Sequence, residues 1–326
     1  MKRLERALDA LRELGLGCGL VVKPENIYYL TGFYPTTKAA LVLKEEPLLL
    51  VSRMDSRLAE EAEVEYLAVE KIEAELDLEY DRIGIEKNFI PIEFYEKHLK
   101  GKEVHDLSFI EEMRKHKERE EITRIKKAAR IAQEVMKGIA GEMLEKTERE
   151  LAALAEYRIK EKARLAFDAI VASGVNSAVP HHTPGDKKIT GEVVILDMGA
   201  QVEHYNSDVT RTYFFDEEPE LYSVALEAQK AAVKECFAGN EVRKPDLAAR
   251  EVLREYGCEE YFLHSSGHGI GLEVHEPPRL TRDAEERFEE GMVVTVEPGI
   301  YKEYGIRIED MVLVKKRPVL LTKAGK

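Results

Sequence analysis

Tryptophan is absent from this chain, and asparagine and glutamine are sparse. The cysteines, Cys18, Cys236 and Cys258, are odd in number and show no paired spacing. That argues against a disulfide framework and against a thiolate metal site. Uninterrupted apolar runs reach only about four to six residues, against the roughly 20 that a bilayer-spanning helix needs, so no membrane partner is expected. Positive charge is also short: 49 Lys and Arg stand against 63 Asp and Glu, a formal net charge of -14. Nucleic acid is therefore not an expected partner, because phosphate binding needs a basic face. The opening residues Met1-Lys2-Arg3-Leu4-Glu5-Arg6 turn amphipathic at once and lack a signal-peptide core, which makes a cytoplasmic protein the expectation.

What is abundant is charge of both signs, 34% of all residues, well above the roughly 25% of average proteins. With few amides and no tryptophan, this composition points to a thermophilic origin, where surface ion pairs gain value on heating. An unfolding midpoint near about 50 °C would count against it. At 326 residues the chain is too long for one ordinary core, so two domains are expected.

The front part alternates strand-like runs (Gly19–Val22, Ala39–Leu43, Leu48–Val51, Glu65–Val69, Arg82–Ile85) with helical stretches, an α/β unit over residues 1–112. From Phe109 to Ile139 a long charged stretch places Ile122, Ile125, Ala128, Ala129, Ala132 and Val135 on one helical face. Thr147-Glu148-Arg149-Glu150 has the form of a capping box opening another helix. Beyond it come strands near Ala169–Ala172, Glu192–Met198 and Asp208–Phe215, helices Glu217–Ala238 and Pro245–Tyr256, and strands Met292–Val296, Gly305–Val314 and Val319–Leu321. Strands mixed with helices make residues 113–326 an α+β domain.

Five residues in this second part stand out. Asp197 ends the apolar run Val193–Leu196, and Asp208 sits in Asn206-Ser207-Asp208-Val209-Thr210-Arg211-Thr212. His268 lies in Gly267-His268-Gly269-Ile270-Gly271, Glu297 follows Val293–Val296, and Glu309 sits in Ile306-Arg307-Ile308-Glu309-Asp310. Buried like charges cost several kcal/mol each, so such carboxylates can converge only around cations, and two divalent ions balance four of them. Oxygen ligands with a single imidazole suit Mn, Co, Fe or Zn. Asp197 and Asp208 fit two adjacent antiparallel strands joined by a turn. Arg307 and Glu309, two apart on one strand, would face the same side.

In order and combination these segments resemble the pita-bread metallopeptidase family, which includes methionine aminopeptidases, Xaa-Pro aminopeptidases and prolidases. The resemblance covers nearly all of Glu120 to Thr322. It implies that Asp197 chelates one ion, Asp208 and Glu309 bridge both, and His268 with Glu297 complete the other; Mn or Co is the expected metal, with Zn and Fe also compatible. Asn26-Ile27-Tyr28-Tyr29-Leu30-Thr31-Gly32-Phe33 and Arg53-Met54-Asp55 resemble the amino-terminal domain of creatinases, prolidases and Xaa-Pro aminopeptidases. Taken alone, Tyr28-Tyr29-Leu30 reads as a half-buried strand.

The resemblance further implies that His181 and His275 contact the substrate or stabilise developing negative charge, and that relatives are homodimers. Glu297 is a candidate proton acceptor as well as a ligand. Arg279 and Arg307 are candidate partners of a substrate carboxylate, which a guanidinium binds in bidentate fashion. His98, His105, His116, His204 and His264 read as surface or packing residues. The expected activity is hydrolysis of Xaa-Pro dipeptides as prolidases perform it. The rivals are an Xaa-Pro aminopeptidase acting on longer peptides, a creatinase-like amidinohydrolase, and a non-catalytic binding module on the same fold.

Overall fold

The computed structural model describes residues 2–76 and 78–323. The chain divides into two compact units, Met1–Arg114 and Lys115–Lys326.

In the first unit, strands β1 (Cys18–Val21), β2 (Ala39–Leu43), β3 (Leu48–Ser52), β4 (Glu65–Val69), β5 (Arg82–Ile85) and β6 (Glu103–Asp106) form one mixed sheet. Their spatial order is β4-β3-β2-β1-β5-β6. The central strands β1 and β2 are buried along their whole length, as their unbroken apolar runs require. Tyr28-Tyr29-Leu30 does not form the strand that those residues alone suggest: it lies in a helix, Pro24–Thr31. Its signals flank it. Pro24 opens the first turn, and Gly32, at φ 74°, closes the helix by donating its N–H to the Tyr28 carbonyl at 2.8 Å.

The second unit contains β7 (Arg164–Leu165), β8 (Ile170–Ser173), β9 (Val194–Met198), β10 (Ala200–Val202), β11 (Tyr205–Asn206) and β12 (Val209–Tyr213). It continues with β13 (His268–Gly269), β14 (Glu276–Arg279), β15 (Val293–Val296), β16 (Gly299–Tyr301), β17 (Gly305–Arg307), β18 (Asp310–Leu313) and β19 (Val319–Leu320). The sheets have the orders β11-β10-β7, β12-β9-β8 and β14-β13-β15-β18-β19, with β16 and β17 as a separate hairpin. The long charged stretch after Phe109 is two helices, Phe109–Lys115 and Arg119–Ile139, the second opened by a capping box between Glu118 and Glu121. The box expected at Thr147 is present: the Thr147 hydroxyl accepts from Glu150 N at 3.1 Å and the Glu150 carboxylate from Thr147 N at 2.8 Å.

In this unit helices cover one face of the β12-β9-β8 sheet and one face of the β14-β13-β15-β18-β19 sheet, and the period of two sends alternate residues to the other. Ala128, Ala132 and Val135 of helix Arg119–Ile139, with Leu151, Ala155 and Ile159 of helix Glu148–Lys160, pack on Val194, Leu196, Met198 and Val209. Ile195 groups instead with Ala172 and Tyr301 on the opposite face, the side that its alternate neighbour Asp197 shares. Helices Glu220–Lys234 and Lys244–Glu255 pack on Val294, Val296 and Val312 in the same way, through Ala225, Ala228, Ala249 and Leu253. That leaves Thr295 and Glu297 to the inner side. Among the described residues no helix is long and apolar enough to cross a membrane.

Candidate metal centre

Each of the five singled-out residues stands at a strand end or a break. β9 and β12 pair antiparallel with Asp197 opposite Thr210, so Asp208, one residue before β12, is delivered beside Asp197. The connection is a short β10–β11 hairpin rather than a simple turn, with its bend at Glu203 (φ 47°) and His204 (φ 67°). His268 lies on β13, which runs so close to β15 that a Cβ on Gly267 would sit 2.1 Å from the Thr295 carbonyl oxygen; only glycine fits there. Glu297 follows β15 and donates its N–H to Ser266 O at 2.9 Å.

The single strand expected over Gly305–Val314 is two strands, β17 and β18, in different sheets. The break falls at Ile308-Glu309, where Glu309 N bonds across to Thr210 O at 3.1 Å. Shared strand facing therefore does not place Arg307 and Glu309 on one side. Pairing with β12 does: Arg307 N donates to the Thr212 hydroxyl at 3.0 Å, and the Thr210 hydroxyl donates to Glu309 Oε2 at 2.8 Å.

All five side chains converge. Ligand atoms of Asp208, His268 and Glu309 lie within 4.8 Å of one another. Glu297 Oε1 is 3.3 Å from His268 Nε2, and Asp197 and Asp208 are in hydrogen-bonding contact. As carboxylates, Asp197 Oδ1, Asp208 Oδ1 and Glu309 Oε1 find no donor among the described residues although they are buried. His268 Nδ1 is 3.0 Å from the Gly269 carbonyl, which fixes it as the donor and turns Nε2 toward the carboxylates. Buried oxygens lacking donors and an inward imidazole nitrogen fit a divalent cation, and nothing else in the surroundings satisfies them.

The electrostatics say the same. Burial, then the charges of Glu309, Asp197 and Glu297, push the Asp208 pKa well above the ordinary range. Burial and the charges of Glu297 and Asp197 do likewise to Glu309, against the pull of Thr210 and Arg307. Asp197 is raised by burial despite Arg307. Glu297 is the exception: burial would raise it, but His268, His264 and Arg307 outweigh that and hold it at about 2. Burial disfavours charge on His268, yet Glu297 overcomes it and the pKa lies above the usual value. Without cations the cluster keeps protons where a metal would otherwise sit.

Arg307 differs from its expected role at a substrate carboxylate. Its Nη2 donates to Asp197 Oδ2 at 2.6 Å and its Nη1 to Pro180 O at 2.9 Å and Tyr301 Oη at 3.0 Å, and only 2% of the residue is exposed. It positions a candidate ligand. Tyr301 and His264, which the sequence did not single out, extend this chain. His264 Nδ1 faces its neighbour's carbonyl, Ser265 O, at 2.8 Å and must be the donor. Its Nε2, 2.8 Å from Tyr301 Oη, therefore accepts the phenolic proton in the neutral ring. His264 is thus neither a surface nor a mere packing residue. Arg307→Lys, which cannot hold Asp197, Pro180 and Tyr301 from one planar group, is expected to lower kcat/KM by about 10–100-fold, the usual loss for residues that orient metal ligands. Metal-titrated peptide hydrolysis checks this.

His275 is exposed, with its ring 4.3 Å from that of His268. Burial of its inner edge and the His268 charge lower its pKa, so it is a neutral donor near neutral pH. The two adjacent histidines have different surroundings. His182 Nε2 is 2.8 Å from the Glu148 carboxylate, while His181 is exposed and near enough to His275 and His264 to contribute to lowering their pKa values. Arg279 is exposed at the end of β14 and lowers the His275 pKa from there. His98 and His105 belong to the first unit and His116 to the second. His105 pairs with Glu103, and His116 lies near Glu289.

Comparison with known proteins agrees with this geometry. Residues 123–316 match Metallopeptidase family M24, and residues 3–116 match the Creatinase/Prolidase N-terminal domain. The Xaa-Pro dipeptidase of Pyrococcus furiosus is 38% identical over 330 residues, covering 96% of this chain and 95% of that protein. Among solved structures, the prolidase from Pyrococcus horikoshii OT3 superposes with a TM-score of 0.95 at 36% identity, over 100% of this chain and 99% of that one. The X-Pro aminopeptidase from Thermotoga maritima MSB8 gives 0.90 at 33% identity, over 98% and 97%.

Proposed function

This chain belongs to metallopeptidase family M24, and we propose that it hydrolyses Xaa-Pro dipeptides with two divalent metal ions held by Asp197, Asp208, His268, Glu297 and Glu309. The observation that carries the reading is the set of buried carboxylate oxygens without donors, gathered around the inward nitrogen of His268. Bound divalent ions supply the charge that activates water at neutral pH and polarises the scissile carbonyl. Asp208 is in contact with Asp197 and, with Glu309, offers oxygens within 4.8 Å of the His268 nitrogen. Mn or Co is the metal that these oxygen-rich donors are proposed to take, with Zn and Fe as further candidates.

The chain's own residues do the rest. Glu297, whose Oε1 lies 3.3 Å from His268 Nε2 at the edge of the cluster, is the proposed group that accepts the proton of the attacking water and returns it to the leaving nitrogen. His275 and His181 supply N–H donors toward the carbonyl oxygen as negative charge develops on it. Arg279, exposed at the end of β14, is the proposed partner of the free carboxylate of a dipeptide, a group that a longer peptide does not present at the proline.

The aminopeptidase reading is the second one that an observation favours, through the Thermotoga maritima structure. Comparing Ala-Pro with Ala-Pro-Ala at saturating Mn or Co separates them. The expected result is a higher kcat/KM for Ala-Pro. Clear preference for the tripeptide would reassign the chain as an aminopeptidase, and hydrolysis of neither peptide by metal-loaded protein would favour a binding module.

A further inference from the structure

Glu148 takes no part in the metal cluster, yet it is fully buried at the start of helix Glu148–Lys160. Five donors converge on its carboxylate. Oε1 accepts from Ser173 N at 2.7 Å, Ser173 Oγ at 2.8 Å and Asn176 Nδ2 at 3.0 Å. Oε2 accepts from His182 Nε2 at 2.8 Å and Gly185 N at 3.2 Å. Burial alone would raise its pKa, but these bonds pull it below the ordinary range, so the group stays ionised. A buried charge is costly unless fully bonded, and here it is.

All five donors lie between Ser173 and Gly185, the stretch that carries Pro180 and His181. From Val179 to Lys187 this stretch has neither helix nor strand. Val175, Val179 and His181 on it are exposed, so apolar burial does little to hold it. Polar anchors replace that burial. Besides Glu148, Gly305 N donates to Ser177 Oγ at 2.8 Å, and Arg307 donates to Pro180 O. Arg307 in turn holds Asp197, so the loop and the metal cluster share one anchor.

We propose that Glu148, through His182 and Gly185, is a positioning residue that fixes the loop so that His181 meets the substrate. The inference rests on the reading of His181 as a substrate donor. Glu148→Gln separates the two halves of the grip. Its amide oxygen can still serve Ser173 and Asn176, while its NH2 turns toward the Gly185 N–H and the His182 Nε2 that the carboxylate accepted. His182→Phe removes one donor, and His182→Gln restores an N–H of similar reach.

The test measures kcat for Ala-Pro, metal content and amide hydrogen exchange in these variants. Glu148→Gln and His182→Phe are expected to lose about 10–100-fold in kcat, the cost of a displacement near one ångström, with metal content unchanged. His182→Gln regains most of that loss. In a His181→Ala background neither change lowers kcat further, because residues acting through one group are not additive. Amides of residues 174–186 exchange faster in Glu148→Gln, while those of helix Arg119–Ile139 do not. Losses that multiply onto His181→Ala, full kcat in both single variants, or unchanged exchange of the loop would each overturn the proposal. If Glu148→Gln does not fold, His182→Phe carries the same comparisons. Wild-type protein inert on both peptides would sink the peptidase reading instead, and the exchange of the loop would still decide the grip.

Discussion

Asp208→Asn and Glu309→Gln are each expected to lower Ala-Pro turnover by more than about a hundredfold, because that is the upper range for residues one step removed from a metal and these are proposed to hold it directly. A neutral amide would hold a divalent cation more weakly than a carboxylate does, so bound metal should fall below two ions per chain. The fold should survive. Both side chains are buried at near-constant volume, and a glutamine oxygen at 309 still accepts from the Thr210 hydroxyl. In metal-stripped protein the neutral amides mimic the protonated acids that burial and neighbouring charges already favour at 208 and 309. Unfolding midpoints under chelation should therefore be no lower than wild type, and higher than wild type as pH rises. Turnover near wild type in both variants would overturn the metal-site assignment.

The positions of the converging side chains were legible because each ends a local signal. Asp197 and Glu297 close buried strands, Val194–Met198 and Val293–Val296, whose alternation assigns them a face. His268 sits among glycines, and Gly267 is needed there because the neighbouring carbonyl leaves no room for a side chain. The break before Glu309 was not legible. Residues 305–314 are uniformly strand-like, and what interrupts them is pairing with β12, about a hundred residues earlier in the chain. Arg307 was misassigned for the same reason. A guanidinium near a ligand reads equally as a substrate grip or an internal anchor until Asp197 and Pro180 are seen to hold it, 110 and 127 positions away. His264 and Tyr301 carry no local motif. Only the fold places them together, since they are 37 residues apart. The front unit shows the converse error: Tyr28-Tyr29-Leu30 has strand-forming side chains, but Pro24 and Gly32 carry the deciding helix signals.

Metal removal should destabilise the second unit more at high pH than at low pH, the reverse of ordinary acid sensitivity. Asp208, Glu309 and Asp197 have pKa values raised by folding, chiefly by burial, and His268 is raised by Glu297. Each such group binds more protons folded than unfolded, so the stability it contributes to the metal-free protein is present below its unfolded pKa. That stability is lost as pH rises through the folded pKa. Glu297, held at about 2, acts the other way, and its contribution is lost only as pH falls toward that value. Above the ordinary carboxylate range the raised groups dominate, so the unfolding midpoint of chelator-treated protein should fall with rising pH. Divalent ions bound there would take the place of those protons, so binding should release them and tighten as pH rises. Free metal at about a hundred times its dissociation constant contributes about 2.7 kcal/mol, roughly 5–10 °C in midpoint for a unit of this size. Thermal unfolding with and without metal from pH 5 to 9 measures this difference. A metal-induced shift that shrinks as pH rises would mean that the buried acids do not give up their protons to the cations.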